Sequence, residues 1–352
     1  MRFKLSIMLT AIVAILVTGL VVLLLQRFSG LSRGLNLDSL EYLADEQAAY
    51  WKGQEDSTMQ VLRTLANIMG KYEDLPAQER RDIYDTMLLA TLEAEAGMVT
   101  LYTIWKPNAL DGIDARYIGR SGSSPSGQYA MAYTRENGQL MTRTSAGIED
   151  AIAYLSGPNA EKERVDNPVP GKVNGKNTFT YTMTVPITNR RTNEVVGSVG
   201  CVLPINPVQQ RVESILRDSW EIPALAVFAN NGLIMGHYVP DWAGKMMEDT
   251  ETIFGDFLQD AVHAVREGRQ FQCFAYSPVL MTNIEVMIVP FTIGNSDTTW
   301  SIMIALPEDY MMLEVRVMTR YTIVLVITAM LTAAAIIFAV VYAVVPNEKA
   351  EE

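Results

Sequence analysis

Two stretches of the chain carry no charge. Leu5 to Gln26 runs apolar between Lys4 and Arg27, and Tyr321 to Asn347 runs uncharged between Arg320 and Glu348. About 20 apolar residues suffice to cross the hydrocarbon of a bilayer, so both are predicted transmembrane helices. A cleaved signal peptide has an apolar core of only about 7–15 residues before a small-residue cleavage site. Here the core is longer and Leu23-Leu24-Leu25-Gln26-Arg27-Phe28 closes it, which predicts an uncleaved anchor. Arg2 and Lys4 favour a cytoplasmic N-terminus by the positive-inside rule, whereas Arg316 and Arg320 oppose it weakly; long loops translocate largely whatever their charge. The expected topology is two-pass, in a cell inner membrane, with the middle of the chain periplasmic and a short tail (346–352) inside.

Between the spans the apolar period is first three to four residues, then two. Leu40, Leu43, Ala48, Trp51, Thr58, Leu62, Leu65, Met69 and Tyr72 predict a long helix over Asp38–Tyr72. Gly53 weakens it by up to about 1 kcal/mol relative to Ala. A second helix is expected from near Pro76 to Gly97. Strands are predicted at Met98–Trp105, Gln128–Arg135, Asn177–Ile187 and Val195–Leu203. Asn206-Pro207 reads as a helix start, with Asn as N-cap and Pro in the first turn. Strands resume at Ala224–Phe228 and Leu233–Tyr238. A short helix over Asp256–Arg266 ends at Gly268, and strands follow at Phe271–Tyr276, Asn283–Pro290 and Thr299–Leu306. A last helix starts at Pro307, with Glu308 and Asp309 favourable in its first turn, and runs without Gly or Pro towards the second span.

A pattern recurs inside this order. Val185-Pro186-Ile187-Thr188 is followed, after a polar turn and an apolar strand, by Leu203-Pro204-Ile205-Asn206. Val289-Pro290-Phe291-Thr292 is followed in the same way by Leu306-Pro307-Glu308-Asp309. Two copies of one module, each passing its last strand into an exit helix, would produce this.

Composition narrows the chemistry. The net charge of −12 argues against nucleic acid, which needs a basic footprint. Cys201 and Cys273 sit in apolar strand-like runs and read as buried thiols. His237 and His263 lack any close Cys/His spacing, so no metal site is expected. No His-Glu-x-x-His, Gly-x-Ser-x-Gly or Cys-x-x-Cys is present, and neither an enzyme nor a cofactor is expected. Gly171-Lys172-Val173-Asn174-Gly175-Lys176-Asn177 is one residue short of a phosphate loop and reads as a hairpin turn. His237 reads as a surface or satisfied core histidine.

Several stretches carry a family resemblance in their order: Trp105-Lys106-Pro107-Asn108-Ala109-Leu110-Asp111-Gly112; Pro168 through Lys176; Thr184-Val185-Pro186-Ile187; Val196-Gly197-Ser198-Val199-Gly200; Ala229-Asn230-Asn231-Gly232-Leu233-Ile234; and Ala243-Gly244-Lys245. Set between two spans, they resemble the double Cache (dCache) sensor modules of bacterial chemoreceptors. The resemblance implies an α+β fold: two PAS-like antiparallel-sheet modules on a long N-terminal helix, flanked by the two transmembrane helices. The boundaries it implies are a cytoplasmic start (1–4), a first span (5–26) and an extracytoplasmic domain (37–320). That domain divides into a helical stalk (37–97), a membrane-distal module (98–205), a membrane-proximal module (222–306) and an exit helix (307–320). The second span is 321–345.

The implied function is transmembrane sensing of a small molecule, in chemotaxis or related signal transduction. An anchored binding or assembly protein without its own output is the alternative. Expected partners are a small-molecule ligand, the membrane and a second copy of the chain as a homodimer. The family's amino-acid pattern is not kept: Ala151, Ile152, Ala153 and Tyr154 fill its first group, Val169 and Gly171 follow Pro168, and Val202 stands where its last Asp belongs. A generic amino acid is therefore disfavoured. By strand alternation, Tyr129, Met131, Tyr133 and Arg135 share one face, and Phe179, Tyr181, Met183 and Val185 another. Trp105, Tyr129, Tyr133, Arg135, Tyr154 and Tyr181 are the candidate ligand-binding residues, the competing reading being that the aromatics pack the sheet on the long helix. Arg143 reads as a solvated strand-end charge.

Overall fold

A computed structural model describes residues 2–219, 222–311 and 313–344. By its contacts the chain forms two units, Met1–Tyr42 with Pro307–Glu352, and Leu43–Leu306.

The first unit holds both apolar stretches, Phe3–Phe28 and Arg316–Val344. Their side chains face outward, with Ile15 72% and Leu325 69% exposed. A core helix of a water-soluble protein would bury such residues. The two stretches meet through Phe3 and Phe338, whose rings lie 6.1 Å apart edge to face. Val345, the expected end of the second span, lies outside the described residues, as does the tail.

Along the chain, helix α1 (Arg2–Met69) is followed by α2 (Arg80–Ala94) and strand β1 (Thr100–Trp105). The helix expected over Asp38–Tyr72 ends three residues early, and Tyr72 falls in a separate 3₁₀ turn. Close approach explains the break: a Cβ on Gly70 would lie 2.4 Å from the carbonyl oxygen of Thr188. Gly53 does not interrupt α1. The long connection after β1 is tied to α2 by Arg81, which donates to Asp111 (2.7 Å), Asp114 (2.6 Å) and the Gly127 carbonyl (2.9 Å).

Strands β2 (Met131–Glu136) and β3 (Gln139–Thr144) then form a hairpin across Asn137-Gly138, both with positive φ. This is the turn chemistry that two-residue hairpins select. Helix α3 (Ile148–Leu155) and the two-residue strand β4 (Arg164–Val165) follow. Strands β5 (Val169–Val173) and β6 (Lys176–Thr188) pair across Asn174-Gly175, again both at positive φ, so the glycine–lysine segment is indeed a hairpin. Strand β7 (Val195–Pro204) completes a seven-stranded sheet ordered β3-β2-β1-β7-β6-β4, with β5 also on β6. Neither β3 nor α3 was among the expected elements.

Helix α4 (Asn206–Asp218) leads on. Asn206 is its first residue rather than its cap, which is Ile205, because the Asn206 carboxamide accepts a hydrogen bond from Thr178 instead (2.5 Å). The second sheet is built from β8 (Ala224–Phe228), β9 (Ile234–His237), β10 (Phe271–Ser277), β11 (Thr282–Thr292) and β12 (Thr299–Pro307), in the order β10-β11-β12-β8-β9. Helices α5 (Met247–Thr250) and α6 (Leu258–Glu267) lie between β9 and β10. Gly268 closes α6 in the left-handed conformation, a common helix stop. Helices α7 (Glu308–Met311) and α8 (Leu313–Val344) end the described chain.

The repeated proline pattern therefore marks two equivalent hairpins, β6–β7 and β11–β12, each followed by a helix. The first sheet packs one face on the helices, and the central strands of the second are buried on both faces. Trp51, Met59, Leu62 and Met69 of α1, with Tyr84, Leu88 and Leu92 of α2, are buried together with Leu101, Trp105 and Met183 of the first sheet. Phe228, Ile234, Phe254, Val262, Ile284 and Met303 fill the core of the second.

Candidate functional site

The first sheet has two faces, and strand alternation sorts their chemistry. On β1, Leu101 and Trp105 point into the helical core, and Thr100, Tyr102 and Ile104 point the other way. On β6, Tyr181 and Met183 are core, while Thr182 and Thr184 face away; on β7, Ser198 and Val202 do the same. This second face, covered in part by α3 and by Arg164 and Asp166, forms a cavity of about 420 Å³. That size suits a small molecule.

The floor is made of hydroxyls from neighbouring strands. Thr100 bonds Thr134 (3.0 Å), and Tyr102 bonds Thr184 (2.8 Å). A hydroxyl has one donor and two acceptor sites, so each pair keeps one free O–H and several lone pairs. Tyr102 can lie across the sheet because Gly200 has no side chain; a Cβ there would come within 2.5 Å of the tyrosine oxygen. Burial pushes the Tyr102 phenol up to about 12, partly offset by its bond to Thr184, so it stays a neutral donor.

The charged groups are mostly spoken for. Arg164 Nε lies 2.5 Å from Asp166, whose other oxygen accepts from Thr182. Arg143 is exposed and pairs with Glu136 at 2.5 Å, as expected of a strand-end charge. Asp150, at the cavity edge in the first turn of α3, makes no ion pair among the described residues. The walls thus offer hydroxyls and one uncompensated carboxylate, and no uncompensated cation.

Of the six candidate residues only Tyr154 reaches this cavity, with the Arg164 guanidinium 5.2 Å from its ring centre. The other five lie on the opposite face. Trp105 is buried between Tyr72 (5.2 Å) and Tyr84 (6.0 Å, stacked). The Tyr129 hydroxyl donates to Asp85 of α2 (2.6 Å), and burial raises the Asp85 pKa despite that bond. Tyr133 is buried beside them, Arg135 donates to the Leu92 carbonyl, and Tyr181 donates to Glu55 of α1 (3.1 Å). These five therefore lie outside the cavity, packed between the sheet and the helices. Aromatic residues at period two mark a face but not which face, and the face with the larger rings is the one that must fill space against α1 and α2.

The positions aligned with the amino-acid pattern fare differently. Ala151, Tyr154 and Val202 line the cavity, whereas Gly171 lies at another, shallower groove of about 740 Å³ beside Phe179 and Pro240. That groove holds one cation, Lys172, and no enclosing wall. The signal of the hydroxyl floor in the chain is the alternation of Thr178, Thr180, Thr182 and Thr184 along β6, which marks a polar face.

The second sheet has no comparable cavity among those described. His237 is fully buried; its Nδ1 accepts the Val239 N–H (2.9 Å), and its Nε2 lies 2.9 Å from Glu251, also fully buried. The His237 ring stacks on Trp242 (4.7 Å). His237 is thus a core histidine, and both cysteines are buried and free. No group of three or more His, Cys, Asp or Glu able to hold a metal occurs among the described residues.

No family model matches the chain, and no curated protein matches it. Solved structures do. The extracellular domain assigned to histidine kinase mmHK1S-Z3 superposes with a TM-score of 0.64 at 19% identity, over 80% of this chain and 97% of that one. The corresponding domain of mmHK1S-Z2 gives 0.63 at 20%, over 79% and 98%. The periplasmic sensory domain of the Campylobacter jejuni chemoreceptor Tlp1 gives 0.55 at 16%, over 78% and 95%. At these identities the likeness is one of fold. The α+β architecture of two antiparallel sheets on a long helix is that of extracellular sensory domains, as the double Cache resemblance implied.

Proposed function

We propose that the chain is a two-pass membrane sensor whose first sheet module (98–205) binds a small ligand in the cavity beneath α3. The second module (222–306) then acts on the exit helix (307–320) and the second span (321–345), with the first span (5–26) as anchor and the domain on the far side of the membrane. The observation that carries this reading is the hydroxyl-floored cavity, open on one side, on the sheet face turned away from α1 and α2. A fold shared with sensory domains and two outward-facing apolar helices support it.

Because both arginines at the cavity already have carboxylate partners and Asp150 has none, the site suits a small polar molecule that is neutral or cationic rather than anionic. A dissociated acid would meet no unpaired cation at the cavity, and the exposed Asp150 adds a weak, screened repulsion.

A thermal-shift screen of the full chain tests the proposal, using polyols, sugars, amines, amino acids and dicarboxylates. A ligand present at 100 times its Kd stabilises by about 2.7 kcal/mol. The expected result is a hit among neutral or cationic compounds that disappears in Thr184→Val and Asp166→Asn. A hit that survives both substitutions places binding elsewhere, and a strong dicarboxylate hit overturns the charge argument.

A further inference from the structure

The segment Lys162–Asp166 has the cavity on one side and the second sheet on the other. Towards the cavity stand Arg164 and Asp166, paired at 2.5 Å. Away from it, Glu163 takes a two-pronged bond from Arg63 of α1 (2.5 and 2.8 Å) and accepts the backbone N–H of Asn295 (2.6 Å). The Val165 carbonyl accepts from the Thr298 hydroxyl (2.9 Å), and Lys162 pairs with Asp297 (2.6 Å). Asn295, Asp297 and Thr298 form the tip of the β11–β12 hairpin. Every residue from 162 to 166 thus touches either the cavity or that tip.

The tip is fitted to this place. Gly294 has φ +56°, and a Cβ there would lie 2.4 Å from the Glu163 carboxylate, so a side chain would push Glu163 out. The tip is also clamped to α1: Asp56 accepts the Gly294 N–H (2.7 Å), and Lys52 donates to the Thr292 carbonyl (2.8 Å). From the tip, β12 runs as one strand to Pro307, where the exit helix begins.

β4 is a short edge strand: it pairs with β6 at two register positions, Arg164 with Thr184 and Val165 with Met183, and the Asp166 N–H adds one bond to the Thr182 carbonyl (3.0 Å). Short edge elements with few ladder bonds open at far lower cost than core strands. A ligand shifts such an equilibrium only through contacts that differ between the two states, and Arg164 and Asp166 are contacts of that kind.

We infer that Lys162–Asp166 is the coupling element between the cavity and the second sheet. A change in the pairing of Arg164 and Asp166 moves the backbone that holds Glu163 and the Val165 carbonyl, and so moves the hairpin tip at Ile293–Thr298. Arg63 and Glu163 are positioning residues in this scheme. It rests on the cavity being the ligand site, but its test needs no ligand.

Hydrogen exchange of the full chain in lipid nanodiscs gives that test, read at the amides of residues 293–298 and, as reference, at β8. Thr182→Val removes the hydroxyl on Asp166, and Asp166→Asn weakens its pair with Arg164; neither residue touches the tip. Both are expected to speed tip exchange roughly tenfold while leaving β8 unchanged, as sub-global opening does. Thr134→Ala, which alters the cavity on β2, is expected to leave the tip as in the wild type. The inference is overturned if Thr182→Val and Asp166→Asn leave the tip at wild-type rates, if Thr134→Ala speeds it equally, or if tip and β8 accelerate together. A failed ligand screen with a positive exchange result would sink the binding site and keep the coupling; the reverse would do the opposite.

Discussion

The two sheets share a hairpin-then-helix plan, yet one forms a cavity and the other is filled. In the first, the face away from α1 and α2 carries threonines, a serine and Tyr102, and space remains above them. In the second, Phe228, Phe254 and Met247 occupy the interior, with Trp242 and Phe271 packed against them. The fold provides a concave sheet twice, and side-chain volume decides which copy stays open. The open copy can change with what enters it. The filled copy is suited to respond as a unit, because close-packed interiors transmit displacement rather than absorb it.

The contrast predicts unequal tolerance to substitution. Phe254→Ala, in the filled sheet, is expected to cost about 3–5 kcal/mol by urea denaturation, the usual penalty for emptying an aromatic core site. A loss under 1 kcal/mol would mean that the second core is looser than its burial indicates.

Next in size is a pH effect at the sheet–helix junction. Glu55 is buried on α1 beneath Tyr181, whose ring packs on Trp300 of the second sheet at 5.0 Å. Burial, chiefly, raises its pKa from 4.5 to about 7, with Asp56 adding to the rise and Tyr181 opposing it. Folded chains therefore hold a proton that unfolded chains release. The stabilisation is complete below about pH 4.5, is lost as pH rises to about 7, and is then constant; it amounts to roughly 3 kcal/mol. Glu55→Gln is expected to remove this share of the slope and to be more stable than wild type at about pH 8. Asp85 contributes a slope of the same sign, so some pH dependence remains. Identical wild-type and variant slopes would contradict the burial argument.

Gly200→Ala sharpens the comparison from the other side. The added methyl meets Tyr102 and the Met183 carbonyl at under 3 Å, so about 1–3 kcal/mol of overpacking is expected, with loss of any ligand-induced thermal shift. Smallest of all, Thr134→Ala on the cavity floor is expected to cost no more than about 1 kcal/mol, with weakened ligand binding as its main effect.

The elements that were legible in the chain were those with strong local signals. The apolar spans, the strands β1, β2 and β6 to β12, the helix stop at Gly268 and the paired proline patterns could all be read from period and turn chemistry. Strand β3 was missed although Asn137-Gly138 signals a hairpin as clearly as Asn174-Gly175 does. The site was legible only in part. Of the six candidate residues only Tyr154 lines the cavity, and Ala151 and Val202, read in the sequence as departures from the family's amino-acid pattern, line it too; the aromatic stripes lie on the opposite face of the same strands.

Local sequence determined where the backbone turns, which segments are helical or extended, and that strands such as β6 have an apolar and a mixed side, because those properties depend on neighbours within a few residues. Tertiary structure alone decided which side meets α1 and α2, that Glu163 would meet Asn295, and that His237 would find Glu251. Those pairings join residues from separate elements, and their energies exist only once the sheets are packed and water is excluded between them.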